Sequence, residues 1–206
     1  MNAHTRRLLM SGPAGAIALA IDEPTTGAAL RGVAVVCHPH PQHGGTMDNK
    51  VAQTLARAFV QLGYRSVRFN FRGVGASEGA WDHGAGEIDD ALAVIDQQRN
   101  PALPLALAGF SFGAYVASQA AARLAGRQPV ERLVLVGPAT QNFQVAAVAP
   151  GTLVIHGESD EVVPLSATLD WARPQAQPVV VVPGVGHFFH GQLALLKSIV
   201  TDAWHR

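Results

Sequence analysis

Short runs of apolar residues alternate with amphipathic segments along most of the chain. A run of four or five hydrophobic residues is typical of a strand that is buried on both faces. Apolar runs predict strands over Val33–Cys37, Leu105–Ala108, Leu133–Val136, Leu153–Ile155 and Val179–Val182, and a further strand is predicted to start with Ser66–Phe69. Each run ends at a loop rich in glycine, proline or polar residues, as the strands of a parallel sheet do.

Segments with apolar residues at helical spacing lie between these runs. From Asp48 to Leu62 the apolar positions recur at i, i+4, i+7, i+8 and i+11, and Gly63 then ends the predicted helix. Further helices are predicted over Ile88–Gln98, Ala114–Leu124 and Gly191–Trp204. Strands that alternate with helices are joined by crossovers, so we predict an α/β fold with a mostly parallel sheet and helices on both faces.

The N-terminal segment admits two interpretations. Arg6-Arg7 precede an apolar stretch, and Ala18-Leu19-Ala20 resembles a signal-peptidase site. Gly12-Pro13, however, is a turn signal that interrupts the apolar stretch. We therefore predict two short strands, Leu8–Met10 and Ala16–Ile21, joined by that turn.

The composition is that of a folded chain with its own core. An apolar fraction of 48% and a charged fraction of 15% exclude a disordered chain. At 206 residues the chain can bury a core without disulfides, and it contains no repeat or linker. We therefore predict one domain over residues 1–206.

Charge and cysteine content narrow the classes of partner. Fifteen basic residues balance fifteen acidic ones, so the formal net charge is +0 and no global field attracts nucleic acid or an anionic membrane. No stretch approaches the ~20 apolar residues of a membrane span. The single cysteine, Cys37, excludes an internal disulfide and lies in a predicted buried strand, where we expect a core residue. We predict a cytoplasmic protein that recognises a small molecule in a pocket.

A serine flanked by glycines follows the predicted strand Leu105–Ala108. The segment Gly109-Phe110-Ser111-Phe112-Gly113 leads directly into a predicted helix. A tight strand-to-helix turn exposes a serine hydroxyl, while the glycines allow the strand and the helix to pack closely. Ser111 is therefore the candidate nucleophile, and an ordinary Gly/Ser turn is the alternative.

A serine hydroxyl needs a base within reach and a group that orients the base. Asp160 and His187 each follow the end of a predicted strand, and open α/β sheets place their sites at that edge. The order serine, acid, histidine along the chain is also the order that accompanies a nucleophilic serine on such a strand-to-helix turn. Asp160 is thus the candidate acid and His187 the candidate base. Their rivals are Glu158 and Glu161 for the acid, and His190 for the base.

The tetrahedral intermediate of acyl transfer needs two hydrogen-bond donors. One is the backbone N–H of Phe112, the residue after the nucleophile. The other is expected in the loop 38–45, where the prolines have no N–H, so His40 is the candidate and Gln42 the reserve. The histidines of this loop suggest a metal site as an alternative. They lack an accompanying carboxylate or cysteine, and we predict no metal.

Taken together, these motifs resemble the α/β-hydrolase superfamily, and within it the small bacterial hydrolases that lack a cap. The resemblance spans Val33 to about His190 and rests on His38-Pro39-His40-Pro41, Gly44–Lys50, Asn70–Ser77 and the pentapeptide around Ser111. It implies an eight-stranded sheet with an antiparallel second strand and a triad of Ser111, Asp160 and His187. Two positions depart from the usual pattern: Pro39 replaces a typical glycine, and Asn70 a frequent aspartate.

These residues predict a serine hydrolase that cleaves a carboxylic ester or thioester through an acyl-enzyme, without a cofactor. About fifteen residues separate Val136 from Thr152, which leaves no room for a cap there. We therefore expect an open, shallow site that favours small or short-acyl substrates. A peptidase with the same triad and a non-catalytic ligand-binding protein on the same fold are the alternatives. The sequence does not predict the oligomeric state.

Overall fold

An eight-stranded sheet forms the centre of the molecule. The computed structural model describes residues 5–24, 29–127 and 129–205. The strands are β1 (Arg6–Gly12), β2 (Gly15–Asp22), β3 (Gly32–Cys37), β4 (Tyr64–Phe69), β5 (Leu105–Phe110), β6 (Arg132–Val136), β7 (Leu153–Gly157) and β8 (Val179–Val182). Their order in the sheet is β1-β2-β4-β3-β5-β6-β7-β8. Strand β2 is antiparallel to both of its neighbours, and β3 to β8 pair in parallel.

Helices cover both faces of this sheet. They are α1 (Lys50–Gln61), α2 (Ala85–Gln98), α3 (Phe112–Leu124), α4 (Leu165–Ala172) and α5 (Leu193–Asp202), with short 3₁₀ helices at Pro41–His43, Arg173–Gln175 and Ala203–His205. Helices α1 and α5 pack together on one face, and α2 and α3 pack together on the other. Helix α1 begins after Asn49, whose side chain accepts a hydrogen bond of 2.9 Å from the amide of Val51.

The alternation of side chains along the strands divides the core into two layers. In β3 and β5, Val35 and Leu107 point toward α2 and α3, whereas Ala34 and Ala106 point toward α1 and α5. Val35 is paired with Leu107 in the parallel register. Because both faces of these central strands are covered, their sequences contain continuous apolar runs.

The predicted α/β architecture is confirmed. The two strands predicted near the N-terminus are present as the antiparallel pair β1–β2, and β2 is the antiparallel second strand. Residues 137–152, between β6 and β7, contain no helix or strand, in agreement with the predicted lack of a cap. None of the helices in the described ranges is long and apolar enough to cross a bilayer. That residues 1–206 form one domain stays a prediction.

Each of the four predicted helices begins two or three residues from its predicted start, and the contacts of α2 and α5 give the reason for theirs. Helix α2 begins at Ala85 rather than Ile88, because the Glu87 carboxylate accepts hydrogen bonds from the amides of Asp82 (3.0 Å) and Gly84 (2.7 Å) and so caps an earlier turn. Helix α5 begins at Leu193, two residues after Gly191, whose φ of 75° is incompatible with a right-handed helix.

A buried ion pair fastens the loop after β4 to helix α2. Arg72 donates from Nε and Nη2 to the two carboxylate oxygens of Asp90, at 3.0 and 2.8 Å, and its amide also donates to Asp90. The side chains are 12% and 1% exposed. Because both charges are withdrawn from water, each depends on the other for its hydrogen bonds.

We expect the substitution Asp90→Ala to lower the free energy of unfolding by about 3 kcal/mol, since it removes both strong hydrogen bonds of the Arg72 guanidinium and leaves it only Asp82, at 3.8 Å. Asp89→Ala is the matched control, because Asp89 pairs with Arg123 at the surface, where both side chains are about half exposed. The control should lose less than about 1 kcal/mol. Denaturant unfolding measures both values, and equal losses would contradict the assignment.

Candidate active site

Ser111 stands at the sharp turn between β5 and α3. Its backbone adopts φ 57° and ψ −119°, a combination that a residue with a side chain rarely adopts. The turn is held by a hydrogen bond of 2.9 Å from the Ser111 amide to the carbonyl of Val136, at the end of β6. Such strain persists only where the surroundings fix the backbone, and it is frequent at functional sites.

Two glycines allow this turn to form. A Cβ atom at Gly109 would overlap the carbonyl oxygen of Gly113, and a Cβ atom at Gly113 would overlap the carbonyl oxygens of Cys37 and His38. The first turn of α3 therefore lies directly against the end of β3. Only glycine leaves room for this approach of backbone to backbone.

Asp160 and His187 form a hydrogen-bonded pair beneath the surface. His187 Nδ1 lies 2.6 Å from Asp160 Oδ2, and both side chains are almost fully buried. The other carboxylate oxygen accepts the amides of Val162 and Val163 at 2.9 and 2.8 Å. Burial alone would raise the pKa of Asp160, but the hydrogen bonds from His187 and from the two amides outweigh it and lower the pKa. The ionised carboxylate holds the Nδ1–H tautomer, which leaves Nε2 as an acceptor.

This pair lies at the same edge of the sheet as Ser111. An ideal Cβ atom on Gly137, the residue after Val136, would be 3.3 Å from the His187 ring and 3.5 Å from Asp160 Oδ2. The ring of Phe110 lies 4.8 Å from the ring of His187, centroid to centroid. Among the hydrogen bonds of the described residues, none joins Ser111 Oγ to His187. Bonds of this kind often tighten only when a substrate is bound.

The rivals for the acid and the base occupy other places. Glu158 accepts the amide of Gly184 at 2.9 Å and is exposed. Glu161 is exposed near Gly186, and the exposed ring of His190 lies 5.7 Å from Phe188. Neither of these carboxylates makes the contact with His187 that Asp160 makes.

His156, on β7, approaches the same carboxylate oxygen of Asp160 as His187 does, and it was not predicted as part of the site. Its Nε2–H donates to the carbonyl of Val163 at 2.9 Å and lies 3.5 Å from Asp160 Oδ2. Its Nδ1 lies 3.2 Å from the hydroxyl of Thr168. Burial lowers the pKa of His156, so the ring is neutral. The available signal was its position in a buried strand, four residues before Asp160.

The loop after β3 places the ring of His40 against Phe112, the residue that follows Ser111. Buried His38 anchors this loop, because its Nδ1–H donates to the carbonyl of Pro39 at 2.6 Å and its Nε2 accepts the amide of Phe71 at 3.1 Å. The His40 ring lies 5.1 Å from the ring of Phe112. In the described part of the chain, neither the His40 amide nor the Phe112 amide donates to another group. The rings of the two predicted donor residues are thus in contact, and no hydrogen bond engages either amide within the described residues.

The reserve donor and the metal alternative both lose support. The amide of Gln42 donates to the His40 ring at 3.3 Å and is therefore engaged. Both ring nitrogens of His38 are used in hydrogen bonds, so this side chain has no free lone pair for a metal.

Trp81 lies beside the candidate oxyanion donors, although its place in a polar loop is also typical of a solvated residue. Its ring lies 4.6 Å from His40 and 5.1 Å from Phe112, and the side chain is partly buried. The polar neighbours Asp82 and His83 concealed this contact in the sequence. The loop after β4 therefore borders the candidate site.

Comparison with known proteins identifies the family. A family model described as serine aminopeptidase, S33, matches residues 28–147, more than half of the chain. The chain belongs to this family of α/β hydrolases. It is similar over its whole length to an α/β serine hydrolase without lid from Xanthomonas campestris, at 39% identity, a TM-score of 0.87 and 96% coverage of that chain.

Two further similarities agree with this assignment to the α/β hydrolases. An α/β serine hydrolase homologue from Coxiella burnetii is 38% identical, with a TM-score of 0.82 and 96% coverage of each chain. An uncharacterized protein of Rickettsia prowazekii is 32% identical over 187 residues, which cover 82% of this chain and 77% of that protein. The resemblance noted in the sequence is confirmed.

In this hydrolase we expect Gly113→Ala to lower the free energy of unfolding by about 1–3 kcal/mol, because the new methyl group meets backbone oxygens that cannot move independently. The matched control is Gly126→Ala, where the methyl group would meet no atom within 4 Å. Thermal or denaturant unfolding should show a change of at most about 0.5 kcal/mol for the control. A Gly113→Ala protein as stable as the control would contradict the close approach of α3 to β3.

We also expect the free energy of unfolding of the hydrolase to decrease as the pH is lowered, because of the buried His38. Burial lowers the pKa of His38 from 6.5 to about 4. The unfolded chain therefore binds more protons between these values, and stability present above pH 6.5 is lost as the pH falls toward 4. Between pH 7 and pH 5 the wild type should lose about 2 kcal/mol more than His38→Gln. Urea unfolding at the two pH values measures the difference. Equal losses in the wild type and in His38→Gln would show that His38 is not the cause.

Proposed function

We propose that this α/β hydrolase cleaves a carboxylic ester or thioester through an acyl-enzyme on Ser111. The observation that carries the proposal is the buried hydrogen bond of 2.6 Å between Asp160 and His187, at the edge of the sheet where Ser111 adopts its strained conformation. In this proposal His187 is the general base, and Asp160 orients it.

The proposed reaction begins with transfer of the Ser111 proton to His187 Nε2. The serine oxygen then forms a bond to the carbonyl carbon, and the amides of Phe112 and His40 hold the resulting oxyanion. Because Phe112 is the first residue of α3, the positive end of the helix dipole also favours this negative charge.

The tetrahedral intermediate collapses when its bond to the leaving group breaks. His187 gives its proton to the departing alcohol or thiol, which leaves the acyl group on Ser111. A water molecule then attacks the acyl-enzyme while His187 takes a proton from it, and the acid is released. Throughout, the Asp160 carboxylate stabilises the imidazolium form of His187 and keeps the ring oriented.

The surroundings of His187 favour small leaving groups. A depression of about 180 Å³ opens beside it, lined by Glu161, Phe188 and His190 among others. With no cap over the site, the leaving group meets only the open depression beside His187, so little binding energy on that side is available to activate a stable amide. Esters and thioesters, which need less activation, are therefore the proposed substrates.

A peptidase is the second candidate, because the matching family model is described as a serine aminopeptidase. The same three residues would serve it, with an amine as the leaving group. Aminoacyl 4-nitroanilides compared with 4-nitrophenyl esters of the same acyl group distinguish the two candidates.

Labelling by a fluorophosphonate tests the proposal. We expect the wild type to be labelled and Ser111→Ala to be unlabelled, with its ester turnover reduced by a factor of about 10⁴ or more. Ser198→Ala, on α5, is the matched control and should be labelled like the wild type. An unlabelled wild type, or a labelled Ser111→Ala protein, would refute Ser111 as the nucleophile and favour a non-catalytic ligand-binding protein.

A further inference from the structure

Five aromatic side chains form a continuous cluster beside the proposed oxyanion donors. They are His40, Trp81, Phe112, Tyr115 and Phe143, which we call the aromatic platform. The His40 ring lies 4.6 Å from Trp81 and 5.9 Å from Phe143, and Phe112 lies 5.0 Å from Phe143. Tyr115 stacks on Phe143 at 4.9 Å. Phe112 is buried, whereas the other four side chains keep part of their surface accessible.

The platform lies on one side of the proposed reacting carbon. Two of its rings belong to His40 and Phe112, the residues whose amides are proposed to bind the carbonyl oxygen. The leaving group must face His187, which protonates it, so the acyl substituent must extend away from His187. The rings in contact with His187 are Phe110 and Phe188, and no ring contact among the described residues joins them to the platform.

The loops that carry the platform are held by hydrogen bonds that are wholly or partly buried. The buried carboxylate of Glu87 accepts two amides of the loop after Trp81, those of Asp82 and Gly84. The loop that carries Phe143 is bound to α3, because the amide of Ala146 donates to Ser118 Oγ at 3.0 Å. The rings are thus held in place before any ligand binds, which lowers the entropic cost of binding.

We propose that the aromatic platform binds the acyl group and that the substrates are esters of compact, planar aromatic acids. This inference rests on the proposed function. A flat acyl ring can meet the platform by offset stacking or edge to face, whereas a saturated ring of the same size is thicker and lacks these contacts. Burial and the neighbouring His43 lower the pKa of His40, so the platform is uncharged near neutral pH and suits an uncharged ring.

Two esters with the same leaving group test the proposal: 4-nitrophenyl benzoate and 4-nitrophenyl cyclohexanecarboxylate. The value of kcat/KM for each is divided by its rate constant for hydrolysis by hydroxide, which removes intrinsic reactivity. We expect the corrected ratio to favour the benzoate by about tenfold in the wild type. Trp81→Leu and Phe143→Leu should each reduce this ratio by roughly threefold to tenfold, as expected for loss of a ring–ring contact.

Two further variants separate the platform from general effects on folding. Trp81→Phe, which keeps a ring, should retain the ratio. Trp204→Leu removes an indole from the opposite face of the sheet, where Trp204 packs against Phe59 and Tyr64, and should also leave the ratio unchanged. A general loss of folded protein lowers both rates equally and does not alter the ratio.

Two results would overturn the assignment of the platform to aromatic acyl groups. One is a corrected benzoate-to-cyclohexanecarboxylate ratio near one in the wild type, and the other is a ratio that neither leucine substitution changes. If the fluorophosphonate still labels Ser111 in that case, the proposed hydrolase activity stands and only the substrate class is wrong. If Ser111 is not labelled and neither ester is hydrolysed, both proposals are overturned.

Discussion

The first turn of α3 touches the end of β3 backbone to backbone, and the geometry of the candidate site depends on this contact. Gly113 lies against the carbonyl groups of Cys37 and His38, while Gly109 lies against Gly113 itself. The turn at Ser111 and the loop that begins at His38 are therefore parts of one rigid unit. Because of this contact, His40 and Phe112 come from distant parts of the sequence yet lie close together, with their rings 5.1 Å apart.

The order of the strands places the other half of the site. Strand β5, which leads to Ser111, lies between β3 and β6, and the loops after β7 and β8 carry Asp160 and His187. All these strands are parallel, so their carboxyl ends share one edge of the sheet. The donors approach from the β3 side and the Asp160–His187 pair from the β7 side, with Gly137 at the end of β6 leaving room for the imidazole.

The sequence predicted those features that local patterns determine. Burial on both faces makes each central strand a continuous apolar run, and the ends of the parallel strands then indicated Asp160 and His187. The contacts of His156 and Trp81 were missed, because they join residues that only the folded sheet and loops bring together. The same holds for Glu87, whose role as a cap depends on the conformation of the preceding loop. A single sequence carries no local signal for such pairings.

The cap on α2 has a consequence for how this hydrolase can diversify. Glu87 binds the amides that follow Trp81, and Arg72 binds Asp90 one turn later, so the position of α2 sets the position of the Trp81 ring. In the proposed function, a shift of α2 would move the Trp81 ring and so alter substrate choice, while Ser111, Asp160 and His187 keep their places. Substitutions in α2, natural or engineered, would then change substrate selectivity from outside the proposed reaction centre.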